Sequence, residues 1–326
     1  MKRTAIALSL ILALLFSAVA GNQFINSTTA QNYANITIKA DGSIDPVEAP
    51  IQRDGDIYTL TEDANGILVN RSNMTLDGNG HTLLKDLSVL NVTNVTIKNF
   101  IIVTHSFMDN IFLYSCSNVT IANNTVTCSP ELESVSLGID VWGGTSNVIT
   151  GNLIIGNVRG ITFESTTSNN RVFGNNIIGN NRGLWISASQ NNSIYNNNFD
   201  NNTVNVFIIG ETVITITGET VDPLMNTFDN GTAGNYWSNY NGTDNNRDGI
   251  GDTPYIIDEN NRDNYPLMMP YETSPTPSPS PEPTQTQEPQ QTETFPTTLV
   301  IASIASVAVI GVGLLVYFKK HKRITV

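Results

Sequence analysis

The feature that most constrains this chain is a recurrence of short apolar strands about every 22 residues. One row runs Ile97-Lys98-Asn99, Ile121-Ala122-Asn123-Asn124, Ile149-Thr150-Gly151-Asn152, Val172-Phe173-Gly174-Asn175 and Ile194-Tyr195-Asn196-Asn197, with steps of 24, 28, 23 and 22. A second row is anchored at Ile67, Val89, Ile111, Ile139, Ile161, Leu184 and Val206, with steps of 22, 22, 28, 22, 23 and 22. Brief β-prone runs punctuated by Asn and Gly at such a period are what the coils of a parallel β-solenoid require. Leucine-rich repeats share the period, but they need a helical or 3₁₀ side and a regular Leu pattern, which this sequence lacks. The expected fold is therefore all-β: a right-handed parallel β-helix. Asn suits its corners because it tolerates left-handed backbone angles and hydrogen-bonds to stacked copies of itself.

Both ends of the sequence speak to location. Lys2 and Arg3 precede an apolar run that ends Ala18-Val19-Ala20, the pattern of a cleavable export signal over 1–20. Residues 298–318 are apolar and are followed by Lys319-Lys320-His321-Lys322-Arg323. That is the length of one transmembrane helix with a basic tail, 319–326, on the cytoplasmic side. The Pro/Ser/Thr-rich stretch 273–296 reads as a semi-rigid stalk. Between these lie an N-terminal cap region at 21–60, the coils at 61–228 and a C-terminal cap at 229–272. The expected protein is a single-pass surface protein with its β-helix outside, and its many Asn-X-Ser/Thr triplets suit a glycoprotein.

Composition narrows the partners. Lys and Arg total 16 against 29 Asp and Glu, a net charge of −13. Six of those bases sit in the two terminal segments, so the middle of the chain is more acidic still. Such a surface repels a phosphate backbone, which argues against nucleic acid and in favour of cations or saccharides.

The segment Gly234-Asn235-Tyr236-Trp237, followed by Asp248-Gly249-Ile250-Gly251-Asp252-Thr253-Pro254-Tyr255, resembles the closing motif of NosD-type β-helix proteins. That family overlaps the carbohydrate-binding and sugar-hydrolase (CASH) β-helices of archaeal cell surfaces, and the likeness runs over roughly 36–271. The resemblance implies the fold and says little of activity. It also implies an accessory role in metal-site maturation. Against that role, His81 and His105 stand alone, and the sequence offers copper or zinc no His/Cys/Met cluster.

Three groups of residues are candidates for chemistry. In the loop 244–252, Asp244, Asn246, Asp248 and Asp252 place oxygens at positions 1, 3, 5 and 9, with Gly249 at position 6 and the Ile250 carbonyl at position 7. This suits a structural calcium ion, although Tyr255 replaces the usual Glu at position 12; a polar turn that binds nothing is the alternative. Tyr236, Trp237, Tyr240, Tyr255 and Tyr265 are expected to pack over the last coil, whose open strand edges need cover. Cys116 and Cys128 are either a disulfide or two buried thiols.

The third group follows from alternation. With Ile139 and Val141 inside, Asp140 and Trp142 point out, and the same register turns Phe112, Tyr114, Thr162, Glu164, Trp185 and Phe207 outward. Arg159, Arg182 and Asp109 lie nearby. Rings beside polar groups suit a saccharide. Phe112, Tyr114, Trp142, Arg159, Arg182 and Trp185 are thus the candidate ligand-binding residues, for glycans or for envelope partners. Asp140 and Glu164 on adjacent coils are the candidate catalytic pair of a polysaccharide hydrolase or lyase. Lyase chemistry wants more bases than Arg159, Arg171 and Arg182 supply, and a plain solvated strand face is the competing reading.

Overall fold

A computed structural model describes residues 35–104, 109–128, 136–209 and 225–272. The export segment, stalk, apolar span and basic tail all lie outside these residues, as does His105. Within them the chain is entirely β, with strands of two to six residues and no helix.

The strands stack into three long sheets of nine, eight and seven strands, plus a two-stranded hairpin near the C-terminus. Through the middle of each long sheet, strands three apart in sequence are hydrogen-bonded neighbours, so successive coils lie directly on one another. The pairing is parallel, except at Ile44–Asp45 and Ile51–Asp54, which pair antiparallel near the N-terminal end. Parallel stacking begins earlier than the repeat predicted. Ile36–Ile38 already lies beside Ile67–Val69, and Ile57–Leu60 beside Met74–Asp77.

Inward side chains form continuous apolar columns. Ile97, Ile121, Ile149, Val172 and Ile194 are vertical neighbours in the eight-stranded sheet, and all are fully buried. In the nine-stranded sheet Ile111, Ile139, Ile161, Leu184 and Val206 share a column. Val89 does not share it: Leu87 stands beside Ile111, and Val89 stands beside Leu113. The slip is of two residues, so the same side chains still face inward. A third column, Leu83, Ile102, Val126, Ile154, Ile177, Phe199 and Trp237, belongs to the seven-stranded sheet that the two sequence rows did not reveal.

The corners are built by Asn. Left-handed backbone recurs from coil to coil at equivalent positions, for example at Asn94, Asn118, Ser146, Asn169 and Asn191. Beside the corners run buried amide ladders. Asn124 donates Nδ2 to Asn152 Oδ1 at 3.0 Å, and Asn152, Asn175 and Asn197 continue the chain to Asn235 at 2.9 Å each. Each of these Asn carbonyls also accepts the backbone N–H of the Asn one coil earlier. A second ladder links Asn170, Asn192 and Asn226, and a third links Asn157, Asn180 and Asn202. A buried amide left without partners is costly, so the identical residue must recur at each rung.

Candidate functional site

The outward side of the nine-stranded sheet is assembled from Asp109–Tyr114, Leu137–Trp142, Arg159–Glu164, Arg182–Ser187 and Val204–Ile209. Gly138, Gly160 and Gly183 stand second in three of these strands. A Cβ on Gly160 would lie 2.6 Å from the Gly183 carbonyl oxygen, so the backbones approach too closely there for any side chain. The register sets the outward groups in vertical columns. Phe112, Asp140, Thr162, Trp185 and Phe207 form one, Tyr114, Trp142 and Glu164 a second, and Arg159 and Arg182 a third.

These columns differ in exposure. Tyr114 and Trp142 are 44% and 43% exposed, and Phe207 is 37% exposed. Asp140 and Thr162 face outward yet are buried, at 4% and 0%. The outward residues are thus unequally exposed: the rims of the patch are open and its middle is enclosed. Residues 105–108 lie outside the description, and of Asp109 only the backbone is described.

The side chains engage one another in an ordered way. Arg159 places its guanidinium 3.7 Å from the centre of the Trp185 ring and donates from Nη1 to Glu164 Oε1 at 2.9 Å. Trp185 and Phe207 stack at 4.9 Å. The Arg182 guanidinium lies 5.0 Å from the Trp185 ring centre and 5.1 Å from that of Phe207. Arg–ring contacts of this kind are worth about 0.5–2 kcal/mol and fix the cation's orientation. Asp140 and Glu164 are diagonal rather than side by side: Asp140 neighbours Thr162, and Glu164 neighbours Trp142. Diagonal positions on adjacent strands place side chains roughly 7–8 Å apart at their bases.

Several polar atoms of this patch are buried with no hydrogen-bond partner among the described residues: Thr162 Oγ1, Trp185 Nε1 and Arg182 Nε. No ion pair of Arg182 occurs among these residues either, whereas Arg159 is paired with Glu164.

The 244–252 loop folds on itself. Asp244 accepts the N–H groups of Asp248 and Gly249 at 3.2 and 3.0 Å, and Asp248 accepts that of Ile250 at 2.8 Å. Asn246 accepts the N–H of Asp248 at 3.2 Å, and Gly249 has a φ of +86°. Asp252 turns away, accepting from Asn245 and Thr243. Among the described residues no three His, Cys, Asp or Glu side chains converge as they would around a metal.

The donors that copper favours are likewise dispersed. Cys116 and Cys128 are free thiols rather than a disulfide. They lie in different places: Cys116, in the corner after Asp109–Tyr114, donates to the Val89 carbonyl at 3.2 Å, and Cys128, at the end of Thr125–Cys128, to that of Gly156 at 3.0 Å. Burial pushes the Cys116 thiol up, away from the reactive thiolate. His81 faces Asp63 at 3.5 Å. The described residues do not fit a copper centre.

One buried group escaped the sequence reading. Asp263 is fully buried and accepts from Asn235 N–H at 2.7 Å, Trp237 Nε1–H at 2.8 Å and Tyr265 N–H at 3.0 Å. Burial pushes its carboxyl up to about 6, against these three donors. Its carboxylate occupies the space a side chain at position 234 would need, which explains Gly234. Trp237 is sandwiched between Phe199 at 4.6 Å and Tyr255 at 4.3 Å. The signal was present in Arg262-Asp263-Asn264-Tyr265-Pro266, but nothing local pairs that Asp with a Trp 26 residues away.

Comparison with known proteins bears on these features. Curated proteins include no match to the sequence. Among solved structures, a point mutant of the periplasmic alginate epimerase AlgG is similar at a TM-score of 0.31 and 13% identity, over 59% of this chain and 60% of that one. The family described as "Periplasmic copper-binding protein (NosD)" matches residues 17–242. With its stacked parallel coils, this chain belongs to the NosD family of right-handed β-helix proteins.

Proposed function

We propose that this protein is a surface-displayed binding module that holds a saccharide chain along the outward face of its nine-stranded sheet, without cleaving it. The observation that carries this reading is the set of columns bearing Tyr114, Trp142, Trp185 and Phe207, with guanidinium groups stacked among them. Flat rings offer apolar faces to sugar rings, and polar groups between them meet hydroxyls. Binding without turnover is favoured because Glu164 is held by Arg159 while Asp140 is buried one strand away on the diagonal. Neither group has the freedom of an acid–base pair flanking a scissile bond. Residues 229–272 serve as the cap of the solenoid, with Trp237 between Phe199 and Tyr255 as its seal. The stalk 273–296 and the span 298–318 tether the β-helix outside the cell.

A glycan array probed with the full-length protein in detergent, together with a reducing-sugar assay, tests this. Expected are retention on a saccharide and loss of retention in Trp142→Ala, with no release of reducing ends. Release of reducing ends that disappears in Asp140→Asn or Glu164→Gln would establish a hydrolase instead.

A calcium ion in the 244–252 loop is also proposed. Supporting it are the folding of Asp244 around the amides of Asp248 and Gly249 and the left-handed Gly249, the shape such loops take around calcium. Calorimetry should show binding by millimolar calcium that Asp244→Ala abolishes. A flat titration would remove the ion from the account.

A further inference from the structure

We propose that the saccharide is acidic, and that Arg182 captures its carboxylate at a subsite formed with Trp185 and Thr162; this rests on the glycan-binding reading above. The patch holds two guanidinium groups one coil apart, and they differ in kind. Arg159 has its carboxylate, Glu164. Arg182 has rings on which to lie, Trp185 and Phe207, but neither a carboxylate nor a hydrogen-bond acceptor among the described residues, and its Nε is shielded from solvent.

A guanidinium carries five N–H donors in a planar fork, and the side through Nε and one Nη matches a carboxylate bidentately. Stacking on two rings holds that plane in place before any ligand arrives. Trp185 adds a second shielded and unpartnered donor, Nε1–H. Thr162, directly beside Trp185 in the sheet and fully buried, adds an unpartnered hydroxyl. Two of these three groups are donors only, so the missing partner must be an acceptor. Beside a full positive charge, the acceptor that fits best is an anion.

The arrangement also sets a direction. Asp140 sits one strand beyond Thr162, on the side away from Arg182. An anionic group is therefore drawn to the Arg182 end of the patch, where the guanidinium lies, and not to the end at the buried Asp140. In a protein of net charge −13, long-range attraction cannot select such a ligand. Selection must come from short-range geometry, so binding should survive salt far better than simple charge pairing does.

The test is calorimetry of the full-length protein with tetrameric uronates based on galacturonate, mannuronate and glucuronate, each paired with its carboxyl-reduced neutral counterpart. At least one uronate should bind about tenfold or more tighter than its neutral form, the scale of a charge-assisted bond. Arg182→Gln should erase that preference. Arg182→Lys, which keeps the charge but loses the fork, should recover little of it, and circular dichroism would confirm that both variants fold. Equal binding of acidic and neutral tetramers, or an unchanged preference in Arg182→Gln, would overturn the subsite while leaving the glycan reading intact. No binding by any tetramer, with no retention on the glycan array, would overturn both.

Discussion

The corners of this β-helix and the outward face of its nine-stranded sheet both bury polar groups, and they treat them in opposite ways. At a corner, Asn175 donates to Asn197 and to the carbonyls of Ile149 and Phe173, while its own carbonyl accepts two N–H groups of Asn152. On the face, Thr162, Trp185 and Arg182 bury polar atoms that no described residue meets. A polar group completed by the next rung is scaffold. A polar group left incomplete on an outward face, among rings, marks where something else docks.

The sharpest way to break this contrast is to cut a ladder. Asn175→Leu removes five hydrogen bonds and takes from the buried Asn152 backbone N–H its acceptor; at about 0.5–1.5 kcal/mol per bond it should cost about 3–7 kcal/mol. That is a large share of the stability of an ordinary domain. Chemical denaturation should show a collapse of the midpoint; a near-normal midpoint would mean that the ladders do not hold the coils together.

Next in size is Asp263. Its folded value of about 6 lies above the ordinary 3.8, so its protonated form stabilises the fold. That contribution is fully present below about 3.8 and is lost as pH rises through about 6, by roughly 3 kcal/mol in all. Stability should therefore fall mainly between about pH 4 and pH 6 and level off above, and that slope should vanish in Asp263→Asn. That variant should itself be destabilised, because an amide nitrogen would face the Trp237 and Asn235 donors. A pH profile identical in both proteins would contradict the assignment.

Smaller still is the effect on stability expected at the face. Arg182→Gln should shift unfolding by no more than about 1–2 kcal/mol, the scale of its ring contacts, even where it removes ligand selectivity. A loss as large as that from Asn175→Leu would place Arg182 in the scaffold and erase the contrast. Smallest is the effect of reductant: with Cys116 and Cys128 free, dithiothreitol should leave the melting temperature unchanged. A drop would reveal a bond that the structure does not contain.

Much of this was legible because the solenoid is local in pattern even though its contacts are long in range. The alternation around Ile139 and Val141 fixed which side chains turn inward, and the recurrent Asn-Gly punctuation announced the corners. Val89 was misaligned by two because coils vary in length, and periodicity protects the face of a strand but not its register. At the face, sequence yielded the outward direction of Asp140 and Thr162 but not their burial, since alternation carries no information about what covers a strand. Asp263 was illegible for a further reason: two of its partners, Asn235 and Trp237, lie 28 and 26 residues away, and Asp263 itself belongs to no repeat.

The central claim, that the outward face between Tyr114 and Phe207 is a saccharide-binding surface, is tested most directly by a crystal structure of the protein with a bound acidic tetrasaccharide. The account predicts sugar rings lying over Trp142 and Trp185, with a carboxylate within hydrogen-bonding distance of Arg182 Nε. A ligand seated elsewhere, with the Trp142–Trp185 face bare, would contradict it.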